Sequence, residues 1–123
     1  MTRKITRSDD FVIKQVPVDK IVATLSLPGD FGPDLSLDLD RLPPARARWH
    51  RAKIAAILDS WNADGGRRIT YLVDPATDKP IVLIEYPDGT FKIADDGNHR
   101  VHVAKHVLHL SFVMAKVFSA RTP

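Results

Sequence analysis

The sequence predicts a small α+β domain in which about five strands form a mixed sheet that packs with two main helices. Apolar residues recur at helical spacing in two segments, and short apolar or alternating runs flanked by turn residues predict the strands. These runs cover 11–16, 69–73, 81–86, 90–94 and 112–117. Because helices and strands do not alternate strictly, the pattern favours α+β over a doubly wound parallel sheet.

The composition is that of one ordinary globular domain. Of the 123 residues, 44% are hydrophobic and 27% are charged, and this length suffices for a single buried core. The chain contains no cysteine, which excludes disulfides, thiolate catalysis and cysteine-based metal sites. We expect a domain at 11–118, with a basic extension at 1–10 before it and a C-terminal tail at 119–123 after it.

The sequence predicts a cytoplasmic protein without a membrane partner. Its basic start at 1–7 is not followed by the apolar run that a signal peptide needs. In addition, no apolar stretch reaches the length that spans a membrane.

A long irregular loop is predicted at 28–44, after the first strand and a bend at Pro17. The loop contains four prolines, two glycines and four aspartates, a composition typical of irregular structure. Loops of this length in a small domain are usually functional or mobile. This one is therefore either a lid over a site or an insertion.

The first helix is predicted at 45–63, because apolar side chains recur there at helical spacing and Gly65-Gly66 follows. This stripe contains Ile54, Ile57, Leu58 and Trp61, with Trp49 as a candidate to extend it. The run at 81–86 is so uniformly apolar that it predicts a central strand. Turn residues at 87–90 join it to the next strand, which predicts a hairpin at 81–94.

The motif Asp96-Gly97-Asn98-His99-Arg100 lies between that hairpin and a second helix predicted at 98–108. Gly97 permits a left-handed turn, and Asn98 is a favoured N-cap residue. The free amides and the positive end of the helix dipole then lie beside His99 and Arg100, an arrangement that binds phosphate. The alternative is an ordinary capped helix with a surface ion pair between Asp96 and Arg100.

Asp95, Asp96 and His99 are the candidate catalytic residues. A carboxylate at the end of a strand can bind Mg²⁺ or act as a general base, and Asp96 is the candidate metal ligand. Adjacent side chains on a strand point to opposite faces, so we expect one carboxylate to face the site and the other to stabilise the turn.

Histidines at 99, 102, 106 and 109 wind onto one side of the second helix. His102 and His106 have the spacing of a metal site, but such sites normally need a third ligand, for which the sequence has no signature. Since the stripe lies opposite the apolar side of the helix, we expect it to face solvent. His99 differs by its position in the first turn, where it reaches a ligand held by the helix amides.

A basic cluster at 46–53 follows the aspartate-rich loop. The net charge of +3 is too small to identify a nucleic-acid-binding protein. Within the cluster, Arg46, Arg48 and Arg51 are candidates to contact phosphates of DNA or RNA without regard to sequence. The alternative is a solvated helix face that the preceding aspartates neutralise.

The order of these parts resembles the ParB/sulfiredoxin superfamily over about residues 11–118. The resemblance depends on the segment Val16-Pro17-Val18-Asp19-Lys20-Ile21, a helix, an apolar strand after a proline, and the motif at 96–100. It implies the fold of that superfamily and a motif that contacts nucleotide phosphates through Gly97, Asn98, His99 and Arg100. Asn98 stands where sulfiredoxin has its catalytic cysteine, which excludes sulfiredoxin chemistry.

The first helix carries a second match. Ala52-Lys53-Ile54 and Leu58-Asp59-Ser60 are similar to the sulfiredoxin helix that contacts ATP. This similarity implies Lys53 and Ser60 as nucleotide contacts, while Ala56 stands where that helix has a hydroxyl. The chain also lacks the paired-arginine motif of chromosome-partitioning ParB proteins.

The sequence leaves three hypotheses for function. The leading one is a nucleotide-binding domain for ATP or another nucleoside triphosphate with Mg²⁺, with phosphohydrolase or phosphotransfer activity. The second is a nucleic-acid-binding protein or nuclease that uses the same phosphate site. The third is an interaction module without catalysis.

Overall fold

A five-stranded mixed sheet organises the part of the chain that the computed structural model describes, which comprises residues 6–26, 29–64, 80–95 and 97–121. The spatial order of the strands is β1-β5-β3-β4-β2. Their bounds are β1 Thr6–Pro17, β2 Ile21–Thr24, β3 Val82–Glu85, β4 Phe91–Ile93 and β5 Phe112–Arg121. With the two helices described below, this sheet confirms the predicted α+β class.

The predicted hairpin and central strand are both confirmed. β3 and β4 pair antiparallel, with Ile84 opposite Lys92, and β3 lies in the middle of the sheet. β3 also pairs in parallel with β5, and β2 pairs in parallel with β4, so the sheet is mixed. β2 was not predicted as a strand, and the strand predicted at 69–73 lies outside the described residues.

The two long strands reach beyond the predicted domain limits. β1 begins at Thr6, inside the segment predicted as a basic extension, and β5 ends at Arg121, inside the predicted tail. The two strands pair antiparallel, with Phe11 opposite Phe118, and their register shifts between Arg7 and Phe11. The described parts of these two segments, 6–10 and 119–121, therefore belong to paired strands.

Two helices pack against the sheet. α1 spans Pro44–Asp64 and α2 spans Asn98–His106, which confirms both helix predictions. The apolar stripe of α1 packs against the buried core, as predicted, through Ile54, Ile57, Leu58 and Trp61. Neither helix, nor any other helix in the described ranges, is long and apolar enough to cross a membrane.

The predicted loop before α1 is packed against α2 over its described part, 29–43. It contains two short 3₁₀ turns, Pro33–Leu35 and Leu39–Arg41, and it buries Phe31 and Leu35. Lys105 of α2 donates to the side chain of Asp34 and, at 2.6 Å, to the carbonyl of Ile21. These contacts hold the segment over the helix on which the predicted phosphate motif begins.

Candidate functional site

Gly97 is required for both its backbone conformation and its lack of a side chain. Its φ is +117°, in the left-handed region, and it occupies the N-cap position of α2. A Cβ at this position would lie 3.1 Å from Cγ2 and 3.3 Å from Cα of Ile81. The backbone therefore turns sharply from β4 into α2, and the first turn of the helix lies close to β3.

Asn98 is not the N-cap residue, contrary to the prediction. It lies inside the first turn of α2, and only 7% of the residue is exposed. Its Oδ1 accepts a hydrogen bond from Thr24 Oγ1, and its Nδ2 donates to Ser26 Oγ at 3.4 Å. The side-chain amide of Asn98 therefore connects the start of α2 to the end of β2. The N-cap position belongs to Gly97 instead.

His102 is buried, which corrects the prediction that the histidine stripe faces solvent. Its Nδ1 donates to the carbonyl of Leu35 at 2.8 Å, and burial lowers its pKa below the ordinary value. His106 is exposed, and its Nε2 donates to the carbonyl of Asp34 at 2.7 Å. The segment at 29–43 covers this side of α2, which the helical periodicity alone does not reveal.

A chain of hydrogen bonds joins Asp30, His50 and His99. His50 is completely buried in α1, and its Nε2 lies 3.0 Å from Oδ2 of Asp30. Its Nδ1 lies 2.7 Å from Nε2 of His99, in the first turn of α2. Arg46 adds two hydrogen bonds of 2.7 Å from one guanidinium nitrogen to the two carboxylate oxygens of Asp30.

The charge of Asp30 determines which ring nitrogens of the two histidines carry protons. The hydrogen bond from Arg46, with a smaller contribution from His50, lowers the pKa of Asp30 against the opposing effect of burial. An ionised carboxylate only accepts hydrogen bonds, so neutral His50 carries its proton on Nε2. Nδ1 of His50 then accepts a hydrogen bond from Nε2 of His99.

Trp49 links the basic cluster to the first turn of α2. It is 42% exposed, so it does not extend the apolar stripe, and its ring lies 5.2 Å from that of His99. The ammonium group of Lys53 lies 5.9 Å from the centre of the same indole ring. Two residues predicted to contact nucleotide, Lys53 and His99, are therefore both neighbours of one exposed aromatic ring.

The three arginines predicted to contact nucleic acid do not share one face of α1. At about 100° per residue, Arg48 and Arg51 lie about 60° apart, and both lie about 140° or more from Arg46. Arg48 and Arg51 are exposed. Arg46 is engaged by Asp30, which is the neutralisation that the alternative interpretation of the cluster describes.

The remaining predicted site residues surround this centre at different distances. Ser60 is half-buried on the same side of α1 as Lys53, about 10 Å further along the helix axis. Arg100 is half-buried in the first turn of α2, and Asp95 is exposed, with its carbonyl accepting from Ser26 Oγ at 3.1 Å. Asp96, the predicted metal ligand, lies outside the described residues.

The described residues fit a Mg²⁺ ion only as one carried by a nucleotide. Among them, no group of three His, Cys, Asp or Glu side chains is arranged to hold a metal ion. Mg²⁺ bound to a triphosphate needs only one or two carboxylates, because phosphate oxygens and waters supply its other ligands. Asp95 offers one such carboxylate. The role of Asp96 as a metal ligand stays a prediction.

Sequence reasoning missed two members of the hydrogen-bonded chain, Asp30 and His50. His50 precedes Ile54, Ile57 and Trp61 of the apolar stripe by helical spacing, so the pattern already indicated a buried histidine. Asp30 has no such signal, because only the folding of the loop brings its carboxylate beneath α1.

A comparison with models of known protein families found no match, and a comparison with curated proteins found none either. An exposed aromatic ring, a lysine, a helix N-terminus and a hydrogen-bonded imidazole together offer stacking, anion binding and proton transfer.

Proposed function

We propose that the chain binds a nucleoside triphosphate, ATP foremost, at the first turn of α2 and hydrolyses or transfers its terminal phosphate. The phosphates would lie against the backbone amides of the turn that Gly97 begins, with Arg100 and Lys53 supplying positive charge. Mg²⁺ would arrive with the triphosphate. The ParB/sulfiredoxin resemblance of the sequence belongs to this proposal and supports the same assignment.

The observation that carries the proposal is the meeting of α1 and α2 at Trp49. His99 begins α2 and Lys53 lies in α1, and both are neighbours of the same indole ring. An exposed indole is a surface on which a nucleobase stacks, and stacking tolerates any base. One small surface would thus offer a ring on which the base stacks, a helix start that binds the phosphates, and a positive charge.

A second candidate function is nucleic-acid binding that ignores sequence. The exposure of Arg48 and Arg51 on one side of α1 favours it, since exposed arginines contact backbone phosphates. A nuclease would combine this side of α1 with the phosphate site at α2.

Calorimetric titration separates the two candidates. We expect Mg·ATP to bind the wild-type protein, and Arg100→Ala to weaken it about tenfold to a hundredfold, equivalent to about 1.5–3 kcal/mol, by removing charge-assisted hydrogen bonds. Lys20→Ala, at an exposed lysine in the turn after β1, is the control and should bind like the parent. Tight binding of duplex DNA without binding of Mg·ATP would favour the second function and contradict the first.

A further inference from the structure

We propose that Asp30, His50 and His99 form a proton relay in which His99 is the general base for hydrolysis of the terminal phosphate of a bound nucleotide. Asp30 and His50 are positioning residues in this assignment. The inference rests on the proposed binding of a nucleoside triphosphate at the start of α2.

The relay leads from the interior of the domain to the proposed phosphate site. Its inner members have little contact with solvent, since the His50 side chain is 0% and the Asp30 side chain 10% exposed. His99, the outer member, is half-buried and belongs to the first turn of α2. Both ring nitrogens of His50 are hydrogen-bonded, so its ring orientation and tautomer are fixed.

Stability alone is a poor reason for this arrangement. Burial of a carboxylate and an imidazole has a desolvation cost that well-packed apolar side chains of similar volume avoid. A buried carboxylate that orients an imidazole, which in turn orients a second and more exposed imidazole, is the arrangement by which enzymes position a base.

Aromatic rings enclose the relay and limit its contact with water. The ring of Phe31 lies edge-on to His50 at 5.6 Å and to His99 at 5.5 Å. The ring of Trp49 lies 4.8 Å from that of His50. Among the described residues, charged or titratable groups near the relay include Arg46 on Asp30, Lys53 on Trp49, and His102, whose ring lies 6.3 Å from that of Phe31.

The step balances with water as the nucleophile. The oxygen of a water molecule forms a bond to the terminal phosphorus as the bond from that phosphorus to the bridging oxygen breaks, and the diphosphate leaves with the electron pair. One proton of the water passes to the imidazole of His99. The positive charge is shared with His50 through the hydrogen bond between the two rings, and Asp30 stabilises it. His99 then releases the proton to solvent.

Asp30→Asn is the decisive variant. The amide keeps the shape of the carboxylate but lacks its charge, and it can donate a hydrogen bond to Nε2 of His50, which would reverse the tautomer of that ring. We expect turnover of Mg·ATP to fall at least tenfold while its dissociation constant stays within twofold. The acid limb of the pH–rate profile should move to lower pH, because the charge that stabilises a protonated His99 is gone.

His106→Gln is the matched control, since His106 lies on the same helix, is exposed, and contacts the carbonyl of Asp34 and the ring of His102 rather than the relay. It should turn over Mg·ATP like the parent. Long-range ¹H–¹⁵N spectra of the wild-type protein should show neutral His50 protonated on Nε2, and this readout does not depend on turnover.

Three outcomes would overturn the relay. They are an Asp30→Asn protein with unchanged turnover and pH profile, a His50 ring protonated on Nδ1, and a wild-type protein that binds Mg·ATP without hydrolysing it. Calorimetry distinguishes all three from failure of the proposed function, in which Mg·ATP does not bind at all and the relay assignment falls with it.

Discussion

Nδ1 of His50 lies 2.7 Å from Nε2 of His99, and this contact joins the buried side of α1 to the first turn of α2. His50 is completely buried, so the position of His99 is set from inside the core. Because Asp30 holds the opposite nitrogen of His50, the loop before α1 takes part in orienting the start of α2. The proposed phosphate site thus depends on three separate segments of the chain.

Gly97→Ala should destabilise the fold more than Gly89→Ala. Both glycines have positive φ, so alanine is strained at each position by about 1–2 kcal/mol. At Gly97 the new Cβ would also meet Ile81, which adds about 1–3 kcal/mol of overpacking, whereas at Gly89 it would meet open space. Urea denaturation of both variants measures the difference, and equal losses would contradict the close approach to Ile81.

His102 should make the fold less stable as the pH falls below neutral. Burial lowers its pKa from the ordinary 6.5, so the unfolded chain binds more protons than the folded one just below that pH. The contribution of neutral His102 to the stability of the fold is therefore complete above about pH 7.5 and is lost as the pH falls toward the folded-state pKa.

His102→Asn tests this contribution, because the amide keeps a donor for the carbonyl of Leu35 and does not titrate. Urea denaturation between about pH 7.5 and 5.5 should show a smaller loss of stability in this variant than in the parent. His109→Asn, at an exposed histidine, is the control. A parent whose stability is flat over this range would refute the prediction.

The ion pair between Arg46 and Asp30 should support the fold in mild acid. Since Arg46 lowers the pKa of Asp30, the stabilisation is complete above the ordinary value of 3.8 and is lost as the pH falls through the lower folded-state value. Arg46→Gln should reduce this pH dependence, whereas Arg48→Gln, at an exposed position, should not. Thermal melts from about pH 5 to 3 measure both. Identical pH dependence in the two variants would argue against the pair.

Affinity for DNA should depend on Arg48 and Arg51 and not on Arg46. The double variant Arg48→Ala/Arg51→Ala should bind unrelated duplexes more weakly, with a salt slope smaller by about 0.9 for each lost phosphate contact. Fluorescence anisotropy over a salt series is the measurement. A larger loss from Arg46→Ala than from the double variant would show that the ion pair with Asp30 opens to admit DNA.

The sequence predicted the helices and the hairpin, because periodicity and turn residues within one segment determine them. The helix at 45–63 and the hairpin at 81–94 follow from periodicity and turn residues within each segment. β2 was missed because it is short and gains its partner, β4, from far along the chain. Pairing of that kind leaves little trace in a four-residue segment.

The candidate site was predictable only where its residues belong to one helix turn. The motif at 97–100 lies at the start of α2, as its composition indicates. The burial of His102 and the role of Asp30 arise when the segment at 29–43 packs against both helices. Helical periodicity describes one helix at a time, so it assigned His102 to solvent and gave Asp30 no partner in the site.

Chemical-shift mapping with Mg·ATP is the sharpest test of nucleotide binding at the first turn of α2. In a ¹H–¹⁵N titration, we expect the backbone amides of His99 and Arg100 and the indole N–H of Trp49 to shift together and to saturate at one ligand per chain. Adenosine, which lacks phosphates, should move the indole signal while leaving those amides in place. Shifts confined to Tyr86 and Ser119, which line a surface pocket elsewhere on the sheet, or no saturable shift at all, would contradict nucleotide binding at α2.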